Sequence, residues 1–403
     1  MKRILFVDDE ANVLAGLKRA MRPMRNKWDM KFIDDPKVAL KAFSDRPFDI
    51  VVSDMRMPKL DGADFLTEIK CLYPESIRII LSGHSDPAMI MKSVGSAHQY
   101  LAKPCEPDEL KRTIKRAYAL KELVGSETLQ KLISGMGELP SLPLVYREIV
   151  ACLQDDNASV MSVGRIIEKD IAMTTKVLQL VNSAFFGIAN PVTSIDQAVS
   201  FLGLDTLGTL VLAHGVFFQH QGLDSSGFNI EALWSLSTRC ATLAKIVAQE
   251  QGMNSTALDE AFLAGMLHDV GKLVLASEKP NEFNEVLQRT GGQDVFAEDV
   301  ERELLGATHA EVGAYLIGLW GLPDSIVEAV AYHETPSLSL STTFGSCGVV
   351  HVASKLASNP EATDPTDPSL CVDLEYLREV GVADRWSAWH TACQASEQQE
   401  VGT

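Results

Sequence analysis

The 403-residue sequence has no apolar run of about 18 residues, so nothing in it reads as a membrane span. It has no CxxC spacing. Its seven cysteines (Cys71, Cys105, Cys152, Cys240, Cys347, Cys371 and Cys393) are scattered and odd in number, which argues against a disulfide framework or a zinc ribbon and for free thiols in a reducing cytoplasm. It has no GxGxxG after its first apolar run, so a dinucleotide fingerprint is missing. The amino terminus carries two cations, but the apolar stretch behind them, Ile4–Val7, is four residues long and ends in Asp8-Asp9. That pattern predicts a first β-strand and not a signal peptide. Positive charge is also scarce. The formal net charge is −18. Residues 1–120 hold 21 Lys+Arg against 17 Asp+Glu, a balance of +4, and the rest of the chain holds 15 against 37, a balance of −22. An acidic carboxyl-terminal part without a Lys/Arg cluster is a poor nucleic-acid surface, because phosphate neutralisation needs a basic footprint.

What is present is ordinary globular composition, 46% hydrophobic and 22% charged, over a length that suggests two or three domains. In residues 1–120 the apolar runs Ile4–Val7, Met30–Ile33, Ile50–Val52, Ile77–Leu81 and Tyr100–Ala102 alternate with helical patterns, one of them near Pro87–Val94. This alternation predicts an α/β domain with a five-stranded parallel sheet. The runs end in Asp8-Asp9, Asp54, Ser82-Gly83 and Lys103-Pro104. Chemistry in such sheets gathers beyond the carboxyl ends of the strands. Carboxylates clustered there repel unless a cation joins them, and a hard divalent ion with oxygen ligands, Mg²⁺, suits the set.

This constellation resembles the receiver domain of two-component response regulators, a flavodoxin-like fold. The resemblance implies Asp54 as phosphoacceptor. It implies Mg²⁺ held by Asp8, Asp9, Asp54 and the backbone carbonyl of Arg56, with Ser82, Tyr100 and Lys103 as switch and phosphate-binding residues. It also implies a sensor histidine kinase as phosphoryl donor.

Residues 121–136 continue a helical pattern that reads as a connector: a passive spacer, a carrier of the receiver's state, or a pairing face for a homodimer. Residues 137–335 are almost entirely helical in pattern, with no convincing strand. They carry Leu139-Pro-Ser-Leu-Pro143, Ala198-Val-Ser-Phe-Leu-Gly203, Leu267-His268-Asp269-Val-Gly-Lys272, Thr308-His309-Ala-Glu-Val-Gly313 and Ala331-Tyr-His333-Glu. This set resembles the all-α HDOD domain, a relative of the HD metal-dependent phosphohydrolases. In catalytic relatives, His and Asp ligands bind metals that activate water. Here His268, Asp269, His309 and His333 stand at motif-like places, but Leu236 and Ser354 occupy positions where ligands are expected, and Tyr332 stands beside His333. The usual bimetallic centre is therefore not expected: the four residues read as a degenerate HD site, a hydrogen-bonded polar network in the core, with binding of a single metal ion as the alternative. Asp269–Lys272 reads as the closing end of a helix.

Residues 336–403 read as a helical extension containing Trp386 and Trp389, fraying from Ser396 onward. The expectation for the whole is a cytoplasmic response regulator whose non-catalytic helical domain signals to a further protein by contact. The alternative is a receiver-gated, metal-dependent phosphodiesterase acting on a nucleotide or cyclic dinucleotide.

Overall fold

The computed structural model describes residues 2–58, 60–82, 96–103, 105–123, 133, 148–149, 152, 159–182, 192–201, 203, 228–291, 297–339, 341, 343–361, 363–368 and 370–401. The helix expected near Pro87–Val94, the Leu139–Pro143 motif and the connector beyond Leu123 lie wholly or mostly outside them. Two compact units emerge from the packing of the backbone. The first is Met1–Glu138 with Gln179–Pro191 and Gly318–Gly321, and the second is the remainder.

The first unit runs β1 (Lys2–Val7), α1 (Ala11–Met21), β2 (Trp28–Ile33), α2 (Pro36–Asp45), β3 (Ile50–Asp54), α3 (Gly62–Leu72), β4 (Ile77–Ser82), β5 (Gln99–Ala102) and α4 (Pro107–Leu123). The strands form one sheet in the order β2-β1-β3-β4-β5, every pair parallel. Every residue of β3 is buried, as are the last four of β1, as expected of central strands covered on both faces. Helix starts follow local chemistry. Asp35 accepts from the amides of Lys37 and Val38 ahead of Pro36, and Asp61 accepts from the amide of Asp64 to open α3. β2 begins two residues earlier than the apolar pattern suggests, because Trp28 and Asp29 pair in register with Lys2 and Arg3, and Arg3 forms an ion pair with Asp29 at 3.0 Å.

From Val160 onward the regular elements among the described residues are helices: α5 (Val160–Ile167), α6 (Ile171–Val181), α7 (Ile230–Glu250), α8 (Ser255–Leu267), α9 (Val270–Glu278), α10 (Pro280–Thr290), α11 (Ala297–Leu305), α12 (His309–Leu319), α13 (Asp324–Tyr332), α14 (Ser346–Ser358), α15 (Leu374–Glu379) and α16 (Trp386–Val401). α7 packs along α8 and α14, and α8 also meets α13. Trp389 is wholly buried and stacks on Phe344 with ring centroids 5.2 Å apart, so this tryptophan fills the core. α16 continues to Val401, past the point where the sequence suggested fraying. Among the described residues no helix is long and apolar enough to cross a membrane.

Two glycines fix the approach of backbone to each site. A Cβ on Gly62 would lie 2.0 Å from the carbonyl oxygen of Asp54, and one on Gly271 would lie 1.8 Å from the carbonyl oxygen of His309. Only a residue without a side chain lets α3 start against the end of β3, or α9 cross the start of α12.

Candidate functional sites

In the first unit, Asp8 follows β1 and Asp54 ends β3, and the parallel register sets Val7 beside Ser53, so the two carboxylates emerge side by side. Both are buried. Lys103, just beyond β5, joins them: its ammonium donates to Asp8 Oδ2 at 2.6 Å and forms an ion pair with Asp54 Oδ1. The other oxygens are held by backbone. Asp54 Oδ2 accepts from the amide of Arg56 at 2.9 Å, and Asp8 Oδ1 accepts from the amide of Glu10 at 3.0 Å. Burial raises the pKa of Asp54 and the charge of Asp8 adds to this, while Lys103 and the Arg56 amide oppose it. Burial works against the charge of Lys103, but its bonds to Asp54 and Asp8 outweigh that and hold its pKa above the ordinary lysine value. Asp9 is exposed, so the structure brings Asp8, Asp54 and Lys103 together and leaves Asp9 at the rim. The donor set fits a hard divalent cation, since two carboxylates already converge on one positive charge. Ser82 and Tyr100 lie on the strands expected, with their side chains outside the described ones.

The second unit contains a denser polar cluster. His268, Asp269, His309 and His333 are all at most 3% exposed. His268 and Asp269 form the junction between α8 and α9, so Asp269 precedes a new helix. That corrects the expectation of a closing helix end: Gly271 is there for the contact with His309, and its backbone does not adopt positive φ. Each of the three histidines commits Nδ1 to an acceptor. His268 donates to the Gly265 carbonyl at 2.6 Å, His333 to the Val330 carbonyl at 2.9 Å, and His309 to Glu301 Oε2 at 2.8 Å. A carbonyl only accepts, so Nδ1 carries the proton at His268 and His333. For His309 and His333, Nε2 then turns toward Asp269 Oδ1, at 3.3 and 3.8 Å, and the two Nε2 atoms are 3.4 Å apart. His268 Nε2 lies 3.5 Å from the other carboxylate oxygen, Oδ2, which also takes Lys272 at 2.9 Å. Burial works against a charge on His309, yet Glu301 lifts its pKa to about 9. Burial, with the charges of His268 and His309, lowers that of His333 to about 3. Lys272 and the surrounding histidines hold Asp269 well below the carboxylate range despite its burial.

Leu236 is half-buried, and the side chain that α7 offers His268 is that of Cys240, one turn further on. Ser354 bonds back to the carbonyl of His351 at 2.9 Å, and Tyr332 is half-buried. Glu301 was not apparent in the sequence. It sits among Glu298, Asp299 and Glu303 on an acidic helix, and only its burial, at 1% exposed, distinguishes it from a solvated neighbour. Glu334, paired with Lys355, is a second such residue, 3.5 Å from His333 Nε2.

Comparison with known proteins matches residues 4–115 to the response regulator receiver domain and residues 139–336 to the HDOD domain. An uncharacterised protein of Treponema pallidum is 24% identical over 250 residues, covering 61% of this chain and 47% of that protein. The hydrogenase transcriptional regulatory protein HoxA of Cupriavidus necator is 32% identical over 124 residues, covering 30% of this chain and 25% of that protein. Among solved structures, the MmoQ response regulator of Methylococcus capsulatus str. Bath is 24% identical, covers 63% of this chain and 97% of its own, and superposes with a TM-score of 0.49. The chain spans between about a quarter and about half the length of these two curated relatives. The chain belongs to the response regulators that join a receiver domain to an HDOD domain.

Proposed function

We propose that the chain is a phosphorylation-controlled response regulator of the cytoplasm, with Asp54 as phosphoacceptor and a sensor histidine kinase as donor. The observation that carries this reading is the Asp8–Lys103–Asp54 bridge at the carboxyl edge of the sheet. Asp54 Oδ1, the oxygen that meets Lys103, is the nucleophile, and the Lys103 ammonium neutralises charge on the incoming phosphoryl group. Asp8, Asp9, Asp54 and the Arg56 carbonyl would hold Mg²⁺, which supplies Lewis-acid neutralisation of the phosphoryl oxygens. The amide of Arg56 fixes the second oxygen of Asp54, so only one faces the donor. Ser82 and Tyr100 report the change to the rest of the receiver. The HDOD domain passes the signal on by protein contact, with receiver pairing into a homodimer as a route to regulation.

Incubation with acetyl phosphate and Mg²⁺, followed by intact-mass analysis, tests this. Wild type gains one phosphoryl group that is labile to hydroxylamine, and Asp54→Asn gains none. Equal labelling of Asp54→Asn refutes the assignment.

A further inference from the structure

The positive charge of the first 120 residues is concentrated in one place. Residues 18–31 hold six Lys+Arg against one acid, Asp29, while residues 1–120 as a whole carry a balance of only +4. This stretch forms the last turn of α1, the 3₁₀ turn Arg22–Met24 and the start of β2. With Arg46, which follows α2, it encloses an open cleft of about 840 Å³. Trp28 pairs with Lys2 at the start of β1, so the cleft reaches the amino edge of the sheet, opposite the edge that carries Asp8 and Asp54. Lys18, Arg19, Arg22, Arg25 and Arg46 line it, all of them exposed. Among the described residues no carboxylate pairs with any of the five. Asp29, the one acid among the lining residues, is taken by Arg3 at 3.0 Å. Arg3 also donates to the carbonyls of Arg46 and Pro47, at 2.6 and 2.5 Å, which anchors the Arg46 side of the cleft.

We propose that this cleft binds a nucleoside di- or triphosphate. Lys18 and Arg19 complement the carboxyl end of α1, as basic residues there ordinarily do. Arg22, Arg25 and Arg46 have no such role, and five like charges around one cavity repel until an anion joins them. Four of the five are arginines, whose planar fork takes two phosphate oxygens at once. The floor asks for more than a simple anion. Trp28 is buried beneath the cleft, and Phe32 is held by stacking on Phe6 with ring centroids 4.8 Å apart. A flat base suits such a floor, and the cavity falls within the roughly 300–1,000 Å³ of small-ligand sites. A polynucleotide fits less well, because it would run past the cleft along a chain whose net charge of −18 repels it. The site is separate from Asp54, so its occupancy does not depend on the phosphoryl chemistry proposed there.

The test is isothermal titration calorimetry of the full, unphosphorylated chain with ATP and with GTP, in the absence of Mg²⁺, beside inorganic tripolyphosphate and a single-stranded oligonucleotide. The expected result is one nucleotide per chain, bound about tenfold or more tighter than tripolyphosphate because the base adds contact with the floor. Arg22→Ala with Arg25→Ala weakens binding about tenfold or more through lost charge-assisted bonds, and both positions are exposed, so the fold survives the change. Lys41→Ala, which removes an exposed cation outside the cleft, leaves the affinity unchanged. Absence of binding by either nucleotide at millimolar concentration overturns the proposal. So do tripolyphosphate that binds as tightly as the nucleotides, an oligonucleotide that binds tighter, and an arginine double variant with wild-type affinity.

Discussion

Gly271→Ala puts the close crossing of α9 and α12 to a direct test. The added methyl would sit 1.8 Å from the His309 carbonyl oxygen, 2.7 Å from the carbon behind it and 2.8 Å from the amide nitrogen of Gly313. Ordinary contact begins near 3.4 Å, so the helices must part by about 1.6 Å, and every atom in the way is backbone that no rotamer change relieves. Overpacking of this kind costs about 3 kcal/mol or more, and the better helix propensity of alanine returns about 1 kcal/mol. The net expectation is a loss of about 2 kcal/mol or more from the helical domain. Urea unfolding followed by tryptophan fluorescence reads it, because Trp234, Trp386 and Trp389 lie in this part of the chain and Trp28 is the one tryptophan of residues 1–120. An unfolding midpoint within about 0.5 kcal/mol of wild type would refute the argument, since it would mean that the two helices do not cross as closely as drawn.

Lys103→Met removes the cation shared by Asp8 and Asp54 and should cost the receiver about 2 kcal/mol, below the roughly 3–5 kcal/mol typical of breaking a fully buried pair because Lys103 is partly exposed; adding Asp54→Asn should recover part of it, and additive losses in the double-mutant cycle would exclude the bridge. Asp54 has a raised pKa in the folded state, so its ionised form opposes folding at neutral pH; Asp54→Asn should be more stable than wild type there, with the gap closing as pH falls through that raised value toward 3.8, and a gap that widens on acidification would contradict it. The contribution of Lys103 runs the other way: it is complete below pH 10.5 and lost as pH rises through the still higher folded value, so thermal melts of wild type and Lys103→Met should converge only in strong alkali. Gly16→Ala, in mid-α1 with no atom within 4 Å of the new methyl, should stabilise the receiver by up to about 1 kcal/mol in chemical unfolding.

The two sites differ in how far the sequence revealed them. At the receiver edge each functional group ends a short apolar run, so the period of the strands and the break that follows locate Asp8, Asp54 and Lys103 without a structure. The exposure of Asp9 was not legible, since Asp8 and Asp9 are adjacent and the alternation of a strand decides which turns inward. In the helical domain the motif residues stood out, but their relation did not. Leu236 and Ser354 drew attention as missing ligands, while the groups that orient what remains, Glu301 and the carbonyls of Gly265 and Val330, carry no mark in the chain. A glutamate on an acidic helix is normally solvated, and only packing turns this one inward. Gly271 misled in a similar way, because glycine with a following lysine suits a helix end as well as it suits a close helix crossing.

His351 completes its hydrogen bonds in a way that its neighbours His309 and His333 do not. It is wholly buried, like its neighbours, but both of its nitrogens are used: Nδ1 donates to the His333 carbonyl at 2.7 Å and Nε2 accepts from the amide of Asp373 at 2.9 Å. Burial, reinforced by Lys355, lowers its pKa to about 4, as suits a neutral ring in a completed pair of bonds. A histidine of this kind needs no ligand. His309 and His333 are arranged differently: their Nε2 atoms both turn toward one carboxylate oxygen, Asp269 Oδ1. His351→Leu should therefore strand the Asp373 amide and cost about 1–3 kcal/mol in urea unfolding. A midpoint within about 0.5 kcal/mol of wild type would mean that the Asp373 amide does not depend on this ring.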